Sequence, residues 1–221
     1  MKTLRGYQFE AIESARETLK SYGSTVIVLA TGLGKTVVAS KLIAEWPHGN
    51  TLFLAHTKEL IDQAADKLSY ELGYRPAVEM GDRTAGFDTL YQGGMAVVGS
   101  VQSMSGEKRL KKYSNNPFGL IIVDECHHAT SSTYRKVIDH FRAINPGVKV
   151  VGLTATPNRT DGTALGTMFE RVAFEMGIVP GIGEGWLVPI KQQSVVVDKL
   201  DFSGIKTRKN MDGDQDFAPG E

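Results

Sequence analysis

A lone cysteine, Cys126, in a chain of 221 residues has no internal partner, so no disulfide framework holds this protein together. A single thiol fits an intracellular, reducing compartment better than a secreted one. Excess charge is missing too: 25 Lys and Arg stand against 25 Asp and Glu. That balance excludes a strongly basic nucleic-acid binder and an acidic tail at the level of the whole chain, while leaving room for a local basic groove. Long apolar runs are absent. The longest, such as residues 26–30, are about five residues, against the ~20 that a membrane-spanning helix needs. The N-terminus enters an amphipathic segment directly, so neither a secretion signal nor a membrane partner is expected.

What is present is ordinary for a globular protein, with 41% apolar and 23% charged residues. At ~150 residues per domain the length suits one large domain, or one plus a fragment. Helical spacing of Ala11, Ile12, Ala15 and Leu19 predicts a helix over 7–20. Further helices are expected from about 36 to 45, over 57–72, and around Tyr134, Val137, Ile138 and Phe141. Buried strands are expected over 24–30, 51–55, 96–99, 120–123 and 148–153. Strand and helix alternate, which predicts an α/β fold with a mostly parallel central sheet and helices on both faces. Residues 1–198 read as that domain and 199–221 as a tail or linker. Residues 81–94, with four glycines and few apolar anchors, read as an exposed loop. The run Glu107-Lys108-Arg109-Leu110-Lys111-Lys112 reads as a solvated helix face.

Ligands bind parallel sheets at the C-terminal strand ends, and the unusual local sequences lie there. Ala30-Thr31-Gly32-Leu33-Gly34-Lys35-Thr36 joins a strand to a helix. Glycines let backbone N–H groups turn around phosphate oxygens, and the helix N-terminus adds its dipole. Lys35 can reach the β- and γ-phosphates of ATP, and the Thr36 hydroxyl can ligate Mg²⁺. The usual spacing would place a first glycine at position 29, where Leu29 stands. A second apolar strand ends in Asp124-Glu125-Cys126-His127. Adjacent acids there are costly unless they have partners or chemistry. Asp124 suits a Mg²⁺ shell, and Glu125 suits activation of a water. Cys126, His127 and His128 lack zinc-ligand spacing.

Taken in order, these pieces resemble the first RecA-like domain of superfamily 2 helicases and translocases. The group in question includes type III restriction motor subunits, XPB-type helicases and phage helicases. Leu4-Arg5-Gly6-Tyr7-Gln8 is similar to the glutamine motif, residues 30–36 to motif I, and residues 54–60 to motif Ia. Residues 99–103 are similar to a later strand-binding motif, 124–127 to a DEAD/DEAH box in the form DECH, and 153–159 to motif III. Residues 177–189 look like the end of the domain. The resemblance implies that Gln8, helped by Arg5, meets adenine, with Thr31, Gly32, Leu33, Gly34, Lys35 and Thr36 around the phosphates. It implies that His127 couples the nucleotide site to Thr154 and Thr156, and that Thr57, Lys58, Ser100 and Gln102 face one nucleic-acid strand. DNA is expected over RNA from the relatives alone. Read without the resemblance, Gln8 could be a surface helix residue, Thr57 an N-cap and Thr154 and Thr156 turn residues. A non-catalytic, nucleotide-gated clamp is the rival function. A second RecA-like domain or partner subunit would have to complete the γ-phosphate site with arginines. The chain reads as an excised motor domain with weak turnover of its own.

Overall fold

The computed structural model describes residues 3–47, 49–85, 95–115, 118–129, 131–155 and 166–192, and the backbone of 207–209 and 215–217. In chain order the elements are α1 (Gly6–Ser21), β1 (Ser24–Leu29), α2 (Lys35–Ala44), β2 (Asn50–Ala55), α3 (Lys58–Leu72), β3 (Ala77–Glu79) and β4 (Ala96–Ser100). There follow α4 (Val101–Met104), α5 (Glu107–Lys112), β5 (Phe118–Val123), α6 (Ser132–Ile144), β6 (Lys149–Thr154), β7 (Arg171–Met176) and α7 (Ile178–Gly183). Strands β1 to β7 form one sheet in the order β3-β4-β2-β5-β6-β1-β7. Every neighbouring pair in it is parallel.

Alternating side chains build a core on each face of that sheet. Along β1, Ile27 and Leu29 join one cluster, with Ile12 of α1, Leu42 of α2 and Leu68 of α3. Val26 and Val28 join the other, with Met104 of α4, Leu110 of α5 and Phe141 of α6. The central strands are buried on both faces, which is why they read as unbroken apolar runs rather than as alternating ones. The α/β reading therefore holds.

Two edge strands escape a sequence reading. β3 has only three residues, too few for a pattern. β7 is mostly exposed or half-buried, so its apolar content is diluted. Helix α7, Ile-Val-Pro-Gly-Ile-Gly, has no helical periodicity; its proline sits in the first turn, where the missing N–H has no intrahelical partner to lose. The solvated-face reading of α5 needs correcting. Lys108 and Lys111 are exposed, but Arg109 and Lys112 turn onto the buried carboxylate of Glu79.

The backbone clusters into two units, Met1–Val188 and Pro189–Glu221. The second contains an antiparallel pair, β8 (Thr207–Lys209) with β9 (Gln215–Phe217). Most of the loop expected at 81–94 lies outside the described residues. Among the described residues, no helix is long and apolar enough to cross a membrane.

Candidate active site

Strand order makes the site. β6 lies between β1 and β5, and the register sets Val28 beside Thr154 and Val123 beside Gly152. The loops after β1 and β5 therefore leave the same sheet edge on either side of Thr154.

After β1 the chain turns through Gly32 (φ +90°) and Gly34 (φ +82°), both in the left-handed region that favours glycine. Gly34 is also tightly approached: a Cβ there would lie 2.7 Å from Gln8 Nε2. It caps α2, so Lys35 and Thr36 open that helix with first-turn N–H groups that have no intrahelical acceptor. Leu33 departs from the expected phosphate cradle. Its side chain is fully buried, its N–H donates to Ala30 O (3.1 Å), and its carbonyl accepts from Tyr7 Oη (2.9 Å) and Gln8 Nε2 (3.1 Å). Leu33 anchors the loop because all three of its groups point inward. Thr31 and Gly32 are exposed.

After β5, the Asp124 N–H donates to Leu54 O (2.9 Å), prolonging the sheet pairing by one residue. Its carboxyl is buried at 8% exposure. Burial raises its pKa, the Glu125 carboxylate raises it further, and the Glu125 N–H, Lys35 and His56 oppose both. Glu125 adopts φ +46°, a left-handed conformation that costs a non-glycine residue about 1–2 kcal/mol. That twist starts the short 3₁₀ turn Cys126–His128. Glu125 Oε1 lies 3.5 Å from Lys35 Nζ, and Oε2 lies 3.4 Å from His127 Nδ1. The same His127 nitrogen is 3.3 Å from Thr154 Oγ1. Lys35, Glu125, His127 and Thr154 thus form one continuous polar chain. Burial pushes the Cys126 thiol up to about 12, with the Glu125 and Asp124 carboxylates adding to it. It packs against Gly152, where a Cβ would meet its Sγ at 2.8 Å, and serves as filling rather than as a nucleophile.

The residues expected to face a nucleic-acid strand lie at neighbouring strand ends, since Ala55 of β2 is in register with Ser100 of β4. Thr57 caps α3 by accepting from Leu60 N (3.3 Å), and Ser100 caps α4 by accepting from Ser103 N (3.1 Å). Lys58 and Gln102 are exposed, Ser100 is buried. Thr156 lies outside the described residues. Gln8 is buried; its Oε1 accepts from Arg5 N (3.1 Å) while its Nε2 holds Leu33, so it ties the start of α1 to the phosphate loop. Arg5 is exposed.

Three features were not singled out from sequence. His56 stacks edge-on against His128 (5.0 Å), which stacks on His127 (4.1 Å). Glu79 lies under a cluster of cations. Trp186 lies against Tyr7 beside the phosphate loop. Only Trp186 carried a signal, as the aromatic residue within the stretch 177–189 that resembles the end of the domain. A cavity of about 790 Å³, lined among others by Leu19, Trp46, Asn145 and Lys149, opens at the other end of the sheet, away from the strand ends that such folds use for ligands.

Residues 1–159 match the family profile described as type III restriction enzyme, res subunit. The chain is 34% identical over 217 residues to the Saccharomyces cerevisiae protein provisionally named ATP-dependent helicase IRC3, covering 92% of this chain and 30% of that protein. It is 33% identical over 159 residues to the DNA 3'-5' translocase XPB2 of Sulfurisphaera tokodaii, covering 72% of this chain and 32% of that protein. Among solved structures it is similar to the UvsW helicase of bacteriophage T4, with TM-score 0.61 and 22% identity over 78% of this chain and 60% of that one. The Pyrococcus furiosus Hef helicase domain gives TM-score 0.61 and 23% identity over 75% of this chain and 37% of that one. The chain spans a third or less of the length of these curated relatives.

Proposed function

Because this chain belongs to the type III restriction enzyme res subunit family, we propose that it is the first RecA-like domain of an ATP-dependent helicase or translocase acting on DNA. The observation that carries this reading is the chain from Lys35 through Glu125 and His127 to Thr154. A phosphate-loop lysine, a carboxylate and a histidine–threonine contact into the next strand are the parts that link hydrolysis to movement.

Each residue has a role its surroundings support. The open N-terminus of α2, with Lys35, draws the β- and γ-phosphates by its N–H groups and dipole. A triphosphate there competes with Glu125 for Lys35, which releases the Glu125 carboxylate to orient and deprotonate the attacking water. His127 then loses or gains a partner at Glu125, and Thr154 on β6 feels the change. Asp124 and Thr36 are fitting ligands for Mg²⁺. Both are hard oxygen donors, and Asp124 is a buried acid that makes no ion pair among the described residues. Bound there, the cation would neutralise charge developing on the phosphates. Lys58 and Gln102 present a cation and an amide, and Thr57 a half-buried hydroxyl, at neighbouring strand ends, groups that contact phosphates without reading sequence; Ser100, buried, supports them by capping α4. DNA is favoured by the likeness to XPB2, a DNA 3'-5' translocase. A second RecA-like domain supplies the rest of the γ-phosphate site, a reading supported by the small share of each relative that this chain covers.

The test pairs two variants in the full-length protein. Glu125→Gln should keep ATP binding and abolish DNA-stimulated turnover; Lys35→Ala should lose both. A non-catalytic clamp would show no turnover to lose, and Glu125→Gln would leave its ATP-dependent DNA binding unchanged.

A further inference from the structure

We propose that Trp186, with Arg5 and Tyr7, forms a stacking platform for the purine base of the bound nucleotide, so that base recognition draws on both ends of the domain. This rests on the nucleotide-site reading above and assigns a residue to it from beyond β7.

The platform is joined directly to the phosphate loop. Tyr7 is buried at 3% exposure, and its hydroxyl donates to Leu33 O at 2.9 Å. The Trp186 ring lies 5.3 Å from the Tyr7 ring, and the Arg5 guanidinium lies 5.4 Å from the Trp186 ring centroid. Arg5 Nη1 also reaches Tyr7 Oη at 3.3 Å. Leu187 packs over the same loop, since a Cβ at Gly32 would meet its Cδ2 at 3.1 Å.

The indole is held in place yet left open. The backbone N–H groups of Trp186 and Leu187 both donate to Gly181 O at 2.9 Å. Trp186 Nε1 donates to Glu184 Oε2 at 3.0 Å, and Gly185 at φ +77° makes the turn that delivers the ring. Even so, Trp186 remains 36% exposed. An aromatic side chain whose backbone and ring nitrogen are held, whose ring lies against Tyr7 and the Arg5 guanidinium, and which still keeps part of its surface in solvent beside a phosphate loop has the form of a stacking surface. A base offers a π-face to an indole or a guanidinium regardless of its hydrogen-bonding edge. The amide of Gln8 is already held by Arg5 N and Leu33 O, which leaves it one N–H and one lone pair. A flat partner would supply the remaining base affinity.

The experiment compares ATP with inorganic tripolyphosphate, which has the charge but no base, on the 221-residue chain by calorimetry with Mg²⁺. The expected result is that Trp186→Ala weakens ATP roughly tenfold or more, bringing it toward tripolyphosphate, while tripolyphosphate affinity stays the same. Trp186→Phe should recover much of the ATP affinity. Of the two tryptophans, Trp46 can be replaced by Phe, so that fluorescence reports Trp186 alone; ATP should quench it and tripolyphosphate should not. Equal ATP affinity in wild type and Trp186→Ala would overturn the platform. Loss of tripolyphosphate binding in Trp186→Ala would overturn it as well, by showing a general structural role. If neither probe shows binding that Lys35→Ala removes, the nucleotide-site reading itself fails, a distinct outcome.

Discussion

Asp124 is held in an environment that disfavours its own charge. Burial raises its pKa, with the neighbouring Glu125 carboxylate second, and the opposing help from Lys35 and His56 is smaller. The sign follows: a carboxylate whose folded pKa is raised binds its proton more readily in the folded state, so its charge lowers stability at neutral pH and the penalty eases as pH falls toward the raised value. Such a cost is sensible at a position meant to meet a cation. Asp124→Asn should therefore raise the melting temperature of the ligand-free chain by a few degrees, as ~1 kcal/mol does at this size. The same variant should lose most of the stabilisation that wild type gains from Mg²⁺ and ATP. Thermal melts with and without both ligands check it; a lower ligand-free Tm would contradict it. The identity of this residue was legible because two acids ending an apolar strand stand out. That Asp124 is buried while Glu125 reaches Lys35 was not legible, because it depends on the turn at Glu125.

At the scale of elements, the three-residue strand β3 is held by charge more than by its own length. Glu79 is fully buried. It accepts from Arg109 Nε (2.7 Å), Lys112 Nζ (2.5 Å), Tyr113 Oη (2.7 Å) and the Ala85 N–H (3.1 Å). Burial alone would raise its pKa, but Lys112, Arg109, Tyr113 and Ala85 together outweigh it and hold the carboxyl below its ordinary 4.5. A depressed carboxylate stabilises fully above its unfolded value and loses that contribution as pH falls through its folded one. Glu79→Gln leaves two cations facing a neutral amide and should cost about 3–5 kcal/mol, the usual result of removing one partner from a buried ion pair. Denaturation between pH 6 and pH 3 should show wild type losing stability on acidification more steeply than the variant. Thr57 poses a different question, since it caps α3 and also faces the expected nucleic-acid edge. Thr57→Ala should cost ~1 kcal/mol through the lost cap. Thr57→Asp should keep the cap and set a negative charge against phosphate, so unchanged stability with weakened DNA binding would support both roles. Unchanged DNA binding would leave only the cap.

At the scale of the whole molecule, transition-state charge on the γ-phosphate needs cationic groups facing it, and Lys35 is the cation this domain brings to Glu125. Steady-state ATP turnover by the 221-residue chain should be negligible, with or without duplex DNA. A turnover rate typical of a complete motor would show that the chain completes its own site. The alternation of apolar strands with amphipathic helices, the glycine turn before Lys35 and the acids after Val123 are local patterns, so the sequence by itself determined the parallel α/β sheet and singled out the ends of β1 and β5 as the candidate site. It could not reveal that β6 separates those two strands, because strand order is set by how helices cover both faces. Only that order brings Lys35, Glu125, His127 and Thr154 into one chain. The pairing of Glu79 with Arg109 and Lys112, and the arrival of Trp186 beside Tyr7, belong to the tertiary structure for the same reason. Such contacts join segments far apart in the chain, and burial decides which of many similar charges and rings meet.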